Sequence, residues 1–380
     1  MECPSYSVRH GARAITALAC QPDEVASFLI GTYSFDTDRA NELHLLKLSE
    51  SELTREQVWK LALPFKVLAA HPRPVSRVFA GIDSQGVAKL FDASENELLT
   101  ICELSPHARC CRWLAFDGDD AFLLVSCDTD IRVFRVLHDE TSVAKAELCA
   151  TVPARAQVTA LAVHYNAGKQ QLRVVAALDN KTIQITDLSV KSDPISQQVE
   201  LTVETTRTIS TGRVVCVEVS LRGLLLTGDV HGRVRIWREN TKNSAFDCVN
   251  ELTHDGMVLC IRCHTQHGAQ VVAVSTSADE AVHMWTLPRL DLEHQESKNV
   301  DNVLRKHGVS LDDEPHDDSG HVLTQKRVLT LQKEHADAVR YIDWACGDSA
   351  SPWSLASLSI DGRLVISTVP PDVKYDVLLQ

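Results

Sequence analysis

The chain has 380 residues, 44% of them hydrophobic and 23% charged, an ordinary globular composition that excludes global disorder and supplies material for a sizeable core. At roughly 150 residues per domain the length predicts two or three domains, unless one large β architecture takes up all of it. Thirty-eight Lys and Arg against fifty-one Asp and Glu leave a net charge of −13, which repels phosphate backbones and anionic membranes and favours basic partners.

The opening residues Met1–Glu24 lack a basic stretch followed by a long apolar run, so no secretory signal is expected. No uncharged apolar stretch approaches the roughly 18 residues of a transmembrane helix. The twelve cysteines, among them Cys20, Cys102, Cys127, Cys216 and Cys346, stand mostly within apolar runs. They read as reduced, buried small hydrophobes of a soluble cytoplasmic protein.

Along the chain the apolar residues come in short clusters with strand alternation, and sustained helical periodicity is absent. One unit recurs: a short apolar strand, small or hydroxyl residues, a turn with Asp, then an alternating strand that often ends in an aromatic. A degenerate first copy spans 29–48. The others follow at 80–92, 126–134, 178–187, 227–237, 277–285 and 359–367. Asp83, Asp128, Asp179, Asp229 and Asp279 are separated by 45, 51, 50 and 50 residues, a period that fits one four-stranded blade with its loops and resembles the WD40 repeat. Seven copies predict an all-β, seven-bladed WD40 β-propeller that takes residues 1–380 as one domain. Closure of the ring is assigned to the N-terminal segment near Ser5–Arg9, with Val373–Leu379 as the competing candidate.

From Asp279 to Asp361 the spacing is 82. The excess lies in 288–325, which holds nine acidic and four basic residues and reads as an acidic, disordered insertion. It is expected to join the last two strands of blade six, on the face opposite the turn aspartates.

A hydrolase triad is one reading of His254, Ser277 and Asp279. The same set recurs at His107, Ser126 and Asp128 and at His335, Ser359 and Asp361, and a catalytic triad should not be written three times. With Trp285, six residues after Asp279, the set is the His-Ser-Asp-Trp network by which WD40 blades tie the preceding loop to their inner turn. Phe134 and Ser367 replace the Trp in the other two copies.

CysIleArgCysHis at 260–264 matches a haem-attachment spacing, but it falls on the expected innermost strand of blade six. There an extended chain sends Ile261 and Cys263 to one side and Cys260 and Arg262 to the other, so core cysteines are expected. Adjacent Cys110 and Cys111 cannot share a tetrahedral metal site. Gly168-Lys169 lacks the rest of a phosphate loop, and Asp312–Asp318 lacks calcium-loop spacing. No metal, cofactor or catalytic residue is assigned. Two inner strands, 158–163 and 214–219, read as largely apolar, against a metal-lined enzymatic channel. Trp344 fits a core strand position, whereas Trp353 follows a proline in a loop-like run.

The segment His335–Leu379 resembles the C-terminus of the EARP- and GARP-complex-interacting protein family. GlyThrTyrSerPhe at 31–35 with AsnGluLeuHisLeuLeuLysLeu at 41–48 is similar to that family's first repeat, and the acidic insertion falls where the family has one. From 50 to 285 only the blade pattern supports the match. The resemblance implies a non-enzymatic scaffold, a monomeric propeller within a larger assembly, bound to subunits of the EARP and GARP vesicle-tethering complexes. It implies work in endosomal recycling and endosome-to-trans-Golgi transport, in the cytoplasm at the periphery of those membranes. Neither nucleic acid binding nor membrane insertion is implied. Trp353, Arg363, Tyr375, Leu378 and Leu379, in the last blade and the tail, are the candidate partner-binding residues. The alternative is a WD40 adaptor of another complex, a cullin ubiquitin-ligase receptor or a chromatin adaptor. Receptors of the first kind usually carry Trp-Asp-x-Arg, whereas this chain has TrpArgGluAsn at 237–240 and TrpThrLeuPro at 285–288.

Overall fold

The computed structural model describes residues 5–7, 12–18, 27–33, 41–49, 52–72, 78–92, 97–116, 121–139, 142–192, 199–220, 223–240, 243–265, 271–277, 282–287, 326–331, 335, 337–345 and 354–368. After a short β1 (Ser5–Ser7), blade one is β2 (Ala12–Leu18), β3 (Ser27–Thr32), β4 (Asn41–Ser49) and β5 (Glu52–Leu61). Blade two is β6 (Phe65–Ala70), β7 (Val78–Asp83), β8 (Val87–Asp92) and β9 (Glu97–Glu103), and blade three β10 (Cys111–Ala115), β11 (Ala121–Cys127), β12 (Asp130–Asp139) and β13 (Ser142–Pro153). Blade four is β14 (Val158–Asn166), β15 (Gln171–Leu178), β16 (Thr182–Ser192) and β17 (Val199–Ser210), and blade five β18 (Val214–Val219), β19 (Leu225–Asp229), β20 (Arg233–Glu239) and β21 (Phe246–Thr253). Blade six is β22 (Val258–Thr265), β23 (Val271–Ser277), β24 (Val282–Leu287) and β25 (Lys326–Leu331), and blade seven opens with β26 (Val339–Ala345), β27 (Ser354–Ser359) and β28 (Arg363–Thr368).

Each blade is an antiparallel four-stranded sheet, and there are seven of them. The innermost strands β2, β6, β10, β14, β18, β22 and β26 neighbour one another in a cycle that closes between β26 and β2. Blade seven takes its fourth strand from β1, with Ser5, Tyr6 and Ser7 paired to Val365, Leu364 and Arg363. Of the two segments considered for closure, the N-terminal one therefore fills the place; Val373–Leu379 lies outside the described residues.

The core sits between blades because strand alternation splits each blade's apolar residues between its two neighbours. Phe28 and Ile30 pack with Leu358 and Leu364 of blade seven, while Leu29 between them packs with Phe65 and Phe79 of blade two. Likewise Phe122 and Leu124 face blade four, and Leu123 and Val125 face blade two. These side chains are fully buried, each contributing about 1.5–3 kcal/mol. A blade cut from the ring would expose both faces, so the ring is the folding unit. Strands β24 and β25 are the third and fourth strands of blade six. The connection 288–325 thus begins after Leu287, whose partner Val271 pairs with Thr265 at the far end of β22 from Val258; the insertion itself is outside the described residues.

Candidate functional site

The first candidate is the set of loop-to-turn networks, and the register explains what each position can reach. Val339 pairs with Ser359, Phe65 with Asp83, Val214 with Asp229 and Val258 with Ser277. Asp83 and Asp229 therefore stand where Ser359 and Ser277 do, and the turn aspartates belong to two registers. Both registers cap the N–H at the same turn position, that of Val87, Arg233 or Arg363. Asp83 Oδ1 accepts from Gln85 N and Val87 N, both at 2.9 Å, and Asp229 Oδ1 from His231 N at 2.8 Å and Arg233 N at 3.0 Å. Asp361 Oδ1 accepts from Arg363 N at 3.1 Å and from the Ser359 hydroxyl. Burial alone would raise the Asp83 carboxyl, but Lys89 Nζ at 2.8 Å and the turn N–H groups hold it below the usual range.

In blade seven His335 is buried, and its Nε2 lies 2.7 Å from Ser357 Oγ rather than Ser359. Ser357 in turn donates to Val365 O at 3.3 Å. The expected His335–Ser359 contact is therefore moved back two residues, onto the next side chain on the same face of β27. Burial pushes the His335 imidazole down to about 4, against the pull of Asp361.

His107 does not join the network assigned to it. It is exposed, and its N–H donates to Ser105 Oγ at 3.1 Å. His254 and His335 stand four residues before the buried strand residues Val258 and Val339, whereas His107 immediately precedes buried Ala108, too late in its loop to reach inward. Ser126 Oγ instead accepts from Cys110 N at 3.0 Å. Asp128 takes a positive φ of 22° in the turn, and its carbonyl accepts from Val158 N at 2.9 Å.

His254 is buried, with its ring centroid 4.3 Å from that of His283. Ser277 ends β23, Trp285 lies in β24, and Asp279 is outside the described residues. The tryptophan bond expected of Trp285 is seen in blade five, where Trp237 Nε1 donates to Thr227 Oγ1 at 3.0 Å. Trp353, Tyr375, Leu378 and Leu379 are outside the described residues. Arg363, half-buried, begins β28 opposite Ser7. Trp344 is buried, and Trp59 packs edge-on against Phe91 at 5.0 Å.

The second candidate is the central channel, a cavity of about 200 Å³ lined by residues of all seven innermost strands or of the loops leading into them. It is not apolar. Beneath the rim runs a polar belt that includes Glu218, Arg262 and Asp343, each four positions after a buried valine, Val214, Val258 and Val339. Arg262 Nη1 lies 3.3 Å from Glu218 Oε2, Arg262 Nε 3.8 Å from Asp343 Oδ1, and Thr16 Oγ1 donates to Asp343 Oδ2 at 3.2 Å. Ala70 N then donates to Thr16 Oγ1 at 3.0 Å, and Trp113 Nε1 to Ala69 O at 2.8 Å. The belt crosses from blade five through six, seven, one and two to blade three. Burial pushes the Glu218 carboxyl up against the pull of Arg262 and Arg112.

The upper rim follows from a β-bulge repeated at the start of the innermost strands. The pairing skips Arg13 between Ala12 and Ala14, Lys66, Thr159, Val215, Leu259 and Arg340. Arg109 holds the same place in blade three, between buried Ala108 and Cys110, whose carbonyl accepts from Ser126 N at 2.9 Å. A bulge re-aims the residue it inserts, and Arg109, Thr159, Val215, Leu259 and Arg340 all line the channel. Four of the seven bulge residues are basic, and they come from consecutive blades seven, one, two and three. Sequence reasoning missed this arc. Its signal was a repeated pair, a buried apolar residue followed by a basic one, in Phe65-Lys66, Ala108-Arg109 and Val339-Arg340.

Little here suits covalent chemistry. Ile261 and Cys263 pack into the core between blades five and six, and Cys260 and Arg262 line the channel, the alternation expected of the 260–264 motif. Burial pushes the Cys216 and Cys263 thiols well up, and that of Cys111 to about 12. These thiols stay protonated and poorly nucleophilic. Among the described residues no group of three or more His, Cys, Asp or Glu side chains is placed to hold a metal ion.

A third cluster joins blades four and five. Arg173 Nε and Nη2 donate to the two oxygens of Asp187 at 2.7 and 3.1 Å, and Arg173 Nη1 lies 2.8 Å from Glu239 Oε2. Arg207 bridges the same two carboxylates. Both guanidinium groups lie over the Phe246 ring, 5.6 and 5.3 Å from its centroid. Its position between two blades makes it a structural clasp.

No family model matches the chain. Over 96% of its length it is 26% identical to WD repeat-containing protein DWA2 of Arabidopsis thaliana, covering 96% of that protein. It is 31% identical to EARP and GARP complex-interacting protein 1 of Rattus norvegicus over 39% of this chain, a match that spans 35% of the rat protein. A chain in a crystal structure of the mitotic checkpoint complex superposes with a TM-score of 0.58 at 12% identity, covering 97% of this chain and 94% of that one; at that identity the likeness shows the fold alone. The chain is a seven-bladed β-propeller, similar over almost its whole length to a WD repeat protein and over part of it to proteins named for interaction with the EARP and GARP complexes.

Proposed function

We propose that this propeller is a non-enzymatic scaffold that associates with the EARP and GARP vesicle-tethering complexes in endosomal recycling and endosome-to-trans-Golgi transport. It works in the cytoplasm, peripheral to those membranes, as a single propeller within the larger assembly. The observation that carries this reading is the similarity to homologues named for that interaction. The raised thiols and the charge-paired lower belt support a binding role over a catalytic one. The test is affinity purification from the protein's own cells with a C-terminal tag, since Ser5–Ser7 are built into blade seven. Recovery of the tethering subunits shared by both complexes, together with the endosome-specific one, is expected; a ligase adaptor or histones without tethering subunits would refute it. A WD40 adaptor of another complex is the second reading. It is favoured by one observation: the relative aligned over almost the whole chain is named only as a WD repeat protein.

A further inference from the structure

We propose that the central channel, inside the ring and below its mouth, holds a small, multiply charged oxyanion of the phosphate class. The inference goes beyond the tethering assignment and does not depend on it. Among the described residues that line the cavity, four are arginines, Arg109, Arg112, Arg262 and Arg340, and none is Asp or Glu. A cleft that carries one sign of charge on low-dielectric walls concentrates counter-ions, and most of the remaining lining is apolar.

The arginines form two tiers. Arg109 and Arg340 stand at bulge positions and are exposed. Arg112 and Arg262 each come three residues after such a position, at most roughly 10 Å deeper along the strand, a separation that long side chains close from either end. The deeper two are equivalent in the repeat but not in their partners. Each donates from Nη1 to the carbonyl of the residue before it, Arg112 to Cys111 O at 3.4 Å and Arg262 to Ile261 O at 3.1 Å. Arg262 is then held by Glu218 at 3.3 Å and Asp343 at 3.8 Å, whereas Arg112 forms no ion pair among the described residues. Glu218 acts on Arg112 through space, its near oxygen being given to Arg262. Arg109 and Arg340 likewise form no ion pair among the described residues. Arg340 lies over the Tyr341 ring, 5.4 Å from its centroid, which leaves its N–H edge to a ligand. Burial keeps the Cys110 and Cys216 thiols of the lining protonated, so they add no negative charge.

Side-chain chemistry and size select the ligand. Guanidinium groups present paired N–H donors that match the oxygens of a phosphate group, and a dianion answers more than one of them at once. The cavity, about 200 Å³, is smaller than the roughly 300–1,000 Å³ of sites for drug-sized molecules. The ligand is therefore a phosphate or diphosphate group enclosed by the ring, not a chain laid across its mouth. A free anion and the head group of a phosphoinositide lipid carry this same chemistry, and vesicles separate the two.

The test is isothermal titration calorimetry of the full chain with pyrophosphate in phosphate-free buffer. One site per chain is expected, with affinity that falls as salt rises and a thermal midpoint that rises with ligand. Arg112→Gln should weaken binding by at least about tenfold. Arg109→Gln/Arg340→Gln, which changes only exposed side chains, should weaken it several-fold with an unchanged midpoint in the absence of ligand. Arg55→Gln, on the outer strand of blade one and also exposed, should leave binding intact. Flotation of the chain with phosphatidylcholine vesicles doped with phosphatidylinositol phosphate, lost in Arg112→Gln, would assign the site to a lipid head group; pyrophosphate binding without flotation would assign it to a free anion. No saturable heat, several weak equivalents per chain, or equal loss in the Arg55 variant would overturn the proposal.

Discussion

Replacing Asp187 by Ala should destabilise the ring by on the order of 3–5 kcal/mol, because removing one member of a buried ionic cluster strands its partners. The Asp187 side chain is 4% exposed and accepts from Arg173 Nε and Nη2, Arg207 Nη2 and Thr205 Oγ1. Without it, Glu239 is the one carboxylate left to the two guanidinium groups over Phe246 among the described residues, with Ser244 O still accepting from Arg207. Glu239 is 28% exposed, so Glu239→Ala is expected to cost only about 1 kcal/mol, water replacing part of what is lost. Urea unfolding followed by circular dichroism, with m-values compared to establish two-state behaviour, measures both. In a double-mutant cycle the two losses should not add, since both carboxylates serve the same pair of arginines. If Asp187→Ala cost less than 1 kcal/mol, or no more than Glu239→Ala, the clasp would not hold blades four and five together.

His335 should make stability depend on pH between 6.5 and 4: its imidazole stays neutral in the fold until about pH 4, while the unfolded chain takes up a proton near 6.5. Stability is therefore intact above 6.5 and falls by about 3 kcal/mol as pH drops through that window; His335→Gln should flatten the slope in thermal melts. Asp361, held below the usual carboxylate range, acts in the same direction at lower pH, its added stability being lost as pH falls below 3.8. Gly232→Ala should cost more than Gly223→Ala, although both glycines have positive φ, of 82° and 78°. A Cβ at Gly232 meets His254 O at 2.3 Å, whereas one at Gly223 meets nothing within 4 Å. Backbone strain of roughly 1–2 kcal/mol accounts for the second alone, and equal losses in chemical unfolding would contradict the register of that turn. Deleting residues 1–9 removes β1 and the Tyr6 hydroxyl bond to His44 Nδ1 at 3.1 Å. It should lower the thermal midpoint by several degrees, and an unchanged midpoint would mean that blade seven is closed by another segment.

The blades were legible because Asp-bearing turns recur at a near-constant interval and because alternation is written into runs such as Val234–Trp237. The networks at the blade tops were only partly legible, and the reason is spacing. His254 and His335 precede their strands by four residues and reach inward; His107 precedes Ala108 by one and cannot. The His335–Ser359 expectation rests on the motif Ser359 shares with Asp361, whereas the imidazole reaches the residue two places earlier in β27. The apolar reading of the channel rests on 158–163 and 214–219, of which the second itself carries Glu218, whereas the arginines that line the channel stand elsewhere, at Arg109, Arg112, Arg262 and Arg340. A bulge hides its residue from any period-two reading, since the inserted side chain belongs to neither face. That is why the basic arc emerged only from the register.

The most direct test of the account is binding of the purified full chain to reconstituted EARP and GARP complexes, followed by size-exclusion chromatography with light scattering. The account predicts one propeller co-eluting with each tethering assembly, its mass increased by that of a single chain. Elution of the propeller apart from both complexes, under conditions where it is folded, would contradict it.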